Sequence, residues 1–208
     1  MSLAPNLELF DERTRPLRLT IDQYRQLMES GVIEEGEPYE LLDGTVVRKD
    51  RSAVGEDPMT VGDAHTYVVL KLGDLIGRLK RHKCHKRTQQ PISLPPRNAP
   101  EPDGAIVVGT QEDYKTRTPG VGDVLCVIEV ADASLRRDRT TKQSIYAKAG
   151  LPVYLIFNLV DRVVELYTRP LKGKGRYADR HTLTLKESVH LAMGDGKELT
   201  VPLRRLMP

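Results

Sequence analysis

The sequence predicts an α/β fold, a mixed central sheet with helices packed against it. Three observations carry this. Apolar residues recur at helical spacing in three separate segments, near residues 19–28, 61–79 and 138–149. A continuous apolar run, Val124 to Val130 with a single acid inside it, reads as a central strand covered on both faces. Short β-type segments lie between and after these. The order is therefore helix, hairpin, helix, three strands, helix, strand and a β-rich tail.

Residues 1–17 read as an arm and 18–208 as one domain. In the first helix Leu19, Ile21, Tyr24, Leu27 and Met28 stand near helical spacing; Thr20 with Gln23 fits a capping box, and Gly31 is the stop. YELLDGTVVRK predicts a hairpin, Tyr39 to Leu42 and Thr45 to Arg48, turning at Asp43-Gly44. The polar stretch from Arg51 to Met59 reads as a loop. Thr60 with Asp63 resembles a second capping box, and Val61, His65, Val68, Val69, Leu72, Leu75, Ile76 and Leu79 predict one long helix. HKRTQQPISL reads as an extended strand closed by Pro95-Pro96. Ala105 to Val108 form a short strand directly after Pro102-Asp103, and 109–123 a polar loop. Asp138 to Ala149 is the third helix, stopped by Gly150 with Pro152 beyond. PVYLIFN is another buried strand. DRVVELYTR pairs back on it after a turn at 158–161, and the remainder reads as short strands and turns.

A chain of 208 residues buries a core without disulfides or a structural metal. With no tryptophan and two phenylalanines, that core is expected to be mostly aliphatic. Cys84 and Cys126, far apart, suggest neither a disulfide framework nor a zinc site, and His82-x-Cys84-His85 lacks further ligands at suitable spacing. The first residues lack the pattern of a signal peptide, and no stretch approaches the ~18 apolar residues that span a bilayer. A cytoplasmic, reducing setting with no membrane partner is the expectation. The net charge of +3 is unevenly spread. Arg78, Lys80, Arg81, Lys83, Lys86 and Arg87 form one basic run, and Arg136, Arg137 and Arg139 a second group. Such clusters suit phosphates and equally suit a solvated helix end.

Glu129 is the anomaly, an acid among apolar neighbours in VLCVIEVA. A carboxylate there is costly unless compensated. Asp103 stands at the mouth of the strand that begins at Ala105. Sheets of this kind place ligand sites at strand ends, and if the two strands are neighbours the carboxylates converge. Their repulsion would be relieved by a divalent cation, and oxygen ligands favour Mg²⁺ or Mn²⁺. Asp138, Lys142 and Tyr146, at i, i+4 and i+8, share a helix face. Lys142 beside a metal-bound water could orient it or offset phosphate charge. The alternatives stay open: a buried salt bridge between Glu129 and Lys142, or a surface ion pair between Lys142 and Asp138.

EPDGAIVV and VIEVADASLRRDRTTKQSIYAKAGLPVYLIFN, with YELLDGTVV upstream, resemble the Uma2 family, also called DUF820, over about residues 18–170. That family is assigned to the PD-(D/E)xK nuclease superfamily. The resemblance implies a restriction-endonuclease-like α-β-β-β-α-β core, with Asp103 and Glu129 as the motif acids. The usual lysine two residues after the glutamate is missing, since position 131 is Ala131; Lys142 looks like a migrated replacement. The resemblance further implies Glu40 as an additional acid and His65 and Tyr146 lining the site. The resulting expectation is an Mg²⁺- or Mn²⁺-dependent endonuclease cleaving DNA, with RNA as an alternative substrate. Asp103, Glu129 and the Val130 carbonyl would hold the metal, the two basic groups would hold the backbone, and the protein would be a homodimer. The rival readings are a catalytically inactive nucleic-acid-binding protein of this fold and a dimeric interaction protein.

Overall fold

The computed structural model describes residues 16–34, 36–49 and 62–208, with the backbone alone at Ile76. The first fifteen residues, the loop at 51–59 and the helix start expected at Thr60 and Val61 lie outside the described residues.

Local signals set the N-terminal elements. Thr20 caps α1 (Ile21–Glu29), and both halves of its box with Gln23 form. β1 (Tyr39–Leu42) and β2 (Thr45–Arg48) pair antiparallel. Asp43 and Gly44 turn between them with φ of 49° and 76°, the pair of positive values that a two-residue hairpin requires. Tyr24, Leu41 and Ala99 form a small core where α1 meets the hairpin.

The long helix expected from residue 60 is interrupted. It runs as α2 (Asp63–Lys71), a 3₁₀ turn at Leu72–Leu75 and α3 (Ile76–Arg81). Gly73 and Asp74 fall in the interruption, and both favour a helix interior less than alanine does. The inward face survives: Val68, Leu72, Leu75 and Leu79 are all buried.

Six strands make the central sheet in the order β3-β4-β5-β6-β7-β8. They are β3 (Cys84–Arg87), β4 (Gly104–Val108), β5 (Val124–Ala131), β6 (Val153–Asn158), β7 (Val163–Leu171) and β8 (Arg176–Leu183). Only β5 and β6 pair in parallel. The crossover between them is helical: α4 (Leu135–Arg137), a π-turn at Asp138–Lys142, then α5 (Gln143–Ala149). The third helix thus starts a turn earlier than expected and carries a π-turn. Gly150, at φ 87°, ends it as foreseen. The extended segment expected after His85 is ladder-paired only as far as Arg87.

Side chains alternate across the sheet, so two cores form. On one face, α2 and α3 and the hairpin of β9 (Ser188–Ala192) and β10 (Glu198–Pro202) cover Ile106, Ile128, Val130 and Phe157. This core is largely aliphatic. The other face departs from that expectation. Beneath α5, Tyr146, Tyr154, Tyr167 and Tyr177 pack together, with the Tyr146 and Tyr154 ring centroids 5.0 Å apart and the Tyr154 and Tyr167 centroids 5.5 Å apart. Tyrosine supplies the aromatic bulk of this second core. Among the described residues no helix is long and apolar enough to cross a membrane.

Candidate active site

Register brings the two acids together. β4 and β5 pair Gly104 with Ile128 and Ala105 with Val127. One step further along the ladder sets Asp103 opposite Glu129, and directly opposed residues share a face. That face is the tyrosine-rich one, because Ala105 and Val127 belong to its core.

Glu129 is 3% exposed. Its Oε1 accepts from the Lys142 ammonium at 2.9 Å and from the Tyr146 hydroxyl at 2.7 Å. Oε2 accepts no hydrogen bond among the described residues. The salt bridge foreseen as an alternative is therefore present. Lys142 also lies 3.3 Å from Glu40 Oε2, which takes the Glu101 N–H at 3.2 Å. Lys142 is 2% exposed, so a surface ion pair with Asp138 is excluded.

Burial pushes the Glu129 carboxyl up to about 7. Lys142 opposes this, and the charges of Asp138, Asp103 and Glu40 add to it. Burial also works against the Lys142 charge, but Glu129, Glu40 and Asp138 hold its amine firmly protonated. Three buried acids thus surround one buried cation. The carboxylates of Glu40 and Asp138 each keep one buried oxygen with no hydrogen-bond partner among the described residues, Oε1 and Oδ1.

Asp103 has the opposite electrostatics. Burial raises its carboxyl, yet the His65 ring, the Val130 N–H and Lys49 together hold it at about 2. Oδ2 accepts from Val130 N at 2.8 Å and lies 3.2 Å from His65 Nε2. Gln89 Nε2 reaches Oδ1 at 3.5 Å. A strand residue presents its N–H and C=O to the same neighbour. The Val130 carbonyl therefore faces the edge on which Asp103 stands. Among the described residues no three His, Cys, Asp or Glu side chains form a ready-made metal cage. The donor set, two facing carboxylates and a strand carbonyl with orphaned acid oxygens beside them, still fits a hard divalent cation.

Glu40, His65 and Tyr146 therefore all touch the principal trio. Sequence reasoning missed Lys49, whose Nζ is held by the Glu101 carbonyl, and Gln89. It also missed Glu165, a fully buried acid held by Arg139, Arg180, Asn158 and Tyr167. Only tertiary pairing reveals these three.

The basic run is not one surface. Lys83 pairs through its carbonyl with Gly109 N–H, past the far end of β4, whereas Asp103 precedes its near end. Six residue steps at ~3.4 Å each separate Asp103 from Gly109 by ~20 Å. Lys80, Arg81 and Lys83 are exposed but stand at the wrong end of the sheet to hold a scissile phosphate. Arg78 donates to the Thr200 carbonyl and Lys86 to the Val69 carbonyl. Arg87, one residue on from Lys86 and opposite Ala105, stands instead on the face of the sheet that carries the two acids. Arg139 is committed to Glu165, with its Nε at 2.9 Å. Arg136 is exposed and Arg137 partly so, both just beyond the C-terminal end of β5, where Glu129 lies. His82, Cys84 and His85 make no metal site: His82 bonds Asp195, His85 lies 3.0 Å from the Gly109 carbonyl, and Cys84 is in the core.

A crystal structure described as "a putative nuclease belonging to DUF820", from Anabaena variabilis ATCC 29413, superposes with a TM-score of 0.62. It covers 90% of this chain and 97% of that one at 12% identity, a likeness of fold. No curated protein matches the chain. The profile of Uma2, described as "Putative restriction endonuclease", matches residues 21–202, so the relationship runs past residue 170 through the last hairpin. Its span takes in the whole sheet and every residue that touches the acid pair: this chain belongs to the Uma2 family.

Proposed function

We propose that the protein is a divalent-metal-dependent endonuclease that hydrolyses DNA phosphodiester bonds. The observation that carries this is the meeting of Asp103 and Glu129 across adjoining strands, with a protonated amine from the crossover helix bonded to Glu129. Membership of a family described in restriction-endonuclease terms supports it.

Glu129 Oε2, the Asp103 carboxylate and the Val130 carbonyl are the proposed holders of Mg²⁺ or Mn²⁺. The bound ion would supply Lewis acidity toward a phosphate oxygen and a water acidified for attack. The chain's own residues do the rest. Lys142, kept charged by its acid neighbours, orients the attacking water and offsets charge that builds on the phosphate. Tyr146 fixes the Glu129 carboxylate through Oε1, which leaves Oε2 available. His65 and the Val130 N–H fix Asp103 through Oδ2. Arg136 and Arg137 are the proposed contacts to the neighbouring backbone. RNA is an alternative substrate, and a homodimer would address both strands of a duplex.

The test is cleavage of plasmid, linear and single-stranded DNA, and of RNA, with Mg²⁺ or Mn²⁺. Asp103→Ala and Glu129→Ala should each abolish cation-dependent cleavage while the folded circular-dichroism spectrum persists. Wild-type protein inert on every substrate with Mn²⁺ would sink the reading.

A further inference from the structure

Asp138 has no part in the chemistry above, yet it is 1% exposed and its charge acts on both Glu129 and Lys142. Its Oδ2 accepts from Ser134 Oγ at 2.6 Å, while Oδ1 has no hydrogen-bond partner among the described residues. Lys142 offers the complement. An ammonium has three N–H donors, and Glu129 and Glu40, at 2.9 and 3.3 Å, account for two.

The backbone explains how Asp138 comes to be there. In an uninterrupted α-helix, side chains eight residues apart point about 80° away from each other. The π-turn takes in roughly one extra residue. Residues 138 and 146 are thereby returned to within about 20° of one line, by the same helical count. The turn is pinned at the Asp138 carbonyl by the Gln143 N–H and by the Tyr154 hydroxyl at 3.1 Å. Thr140 and Thr141, on its outer side, are exposed.

A cation engaging Glu129 draws that carboxylate's charge toward itself and weakens its hold on Lys142. A buried ammonium then needs another acceptor, because leaving it unpaired is costly. We propose that Asp138 is a positioning residue for Lys142: its Oδ1 receives the ammonium when a divalent cation engages Glu129, so the amine stays aimed at the reacting phosphate. The inference rests on the metal-dependent reading above and names what keeps its lysine in place.

The experiment follows the Lys142 ammonium resonance by NMR in protein labelled with ¹⁵N-lysine, with and without Mg²⁺. It compares wild type, Asp138→Asn and a deletion of Thr140 that restores an α-turn and rotates Asp138 out of the site. Mg²⁺ should shift the wild-type resonance. With Mg²⁺ present, ammonium hydrogen exchange should quicken about tenfold or more in both variants, the worth of one charge-assisted hydrogen bond. Without Mg²⁺ the change should be far smaller, since Glu129 and Glu40 still hold the ammonium and only the more distant Asp138 charge is lost. In cleavage assays Asp138→Asn should lower kcat with KM for DNA unaltered. Wild-type exchange rates in Asp138→Asn with Mg²⁺ would overturn the proposal and leave the metal-dependent reading standing. A wild-type resonance indifferent to Mg²⁺ would overturn both. Should Asp138→Asn fail to fold, the Thr140 deletion, which takes Oδ1 out of reach and keeps the carboxylate, is read in the same way.

Discussion

Glu129 and Asp103 are chemically the same kind of group, and their surroundings push them apart. Asp103 sits at about 2 against an ordinary 3.8, so its contribution to stability is full above that ordinary value and is lost as pH falls through 2. Glu129 sits near 7 against 4.5. Between those two pH values the folded protein holds more protons than the unfolded chain, and stability declines as pH rises. Each pH step of one across that window is worth about 1.4 kcal/mol, so the metal-free protein should lose about 3 kcal/mol from end to end. Glu129→Gln should flatten the slope, as read from urea denaturation in EDTA between pH 4 and about 8. Parallel curves for the two proteins would contradict the assignment. Glu129 is conspicuous in the sequence because an acid in an apolar run has a cost visible without coordinates. Lys49 and Gln89 are not conspicuous, since each sits in a polar stretch where a lysine or a glutamine needs no explanation.

At the scale of elements, local signals are legible in the sequence and their interruptions are not. The Thr20 box, the Asp43-Gly44 turn and the Gly150 stop each depend on residues within a few positions of one another, and all three form as expected. The break in the α2–α3 helix falls at Gly73 and Asp74, weak helix formers inside an apolar pattern that runs on past them, and the π-turn leaves no clear periodic trace. The hairpin matters to the site because Glu40 lies in β1. Gly44 has φ 76°, and a Cβ there would come within 2.7 Å of the Arg18 Cβ and 3.0 Å of the Leu19 carbonyl. Gly44→Ala should cost at least 1 to 2 kcal/mol, roughly the left-handed penalty alone, and should loosen Glu40. A thermal melt reads the first effect. Unchanged melting would mean that the turn tolerates a side chain by shifting Arg18.

At the scale of the whole molecule, the last hairpin is part of the core and no appendage. Leu199 and Val201 on β10 are buried in the same cluster as Ile128 and Val130 on β5. Sequence alone shows only short alternating strands there, because period-two patterning reveals which residues face inward but not which face of which sheet they meet. Leu199→Ala should lower global stability by about 2 to 5 kcal/mol, the usual range for emptying a buried leucine site. It should do so in one cooperative transition, from the face of the sheet opposite the Asp103 and Glu129 side chains. A separate early transition confined to the C-terminal residues would show the hairpin to be an independent unit.

The ladder between β4 and β5 carries one irregularity. Register shifts between Ile106 and Val107, so that Leu125 is the surplus residue, at the loop end and away from the acids. Growth or trimming of the 109–123 connection can be absorbed beyond that joint, while the pairs next to Asp103 stay in step. Removing a single residue between the joint and Glu129 would instead invert which side of the sheet that glutamate faces. The alignment of two acids 26 positions apart therefore depends on a stretch of only a few residues, and the long span between them is free to vary.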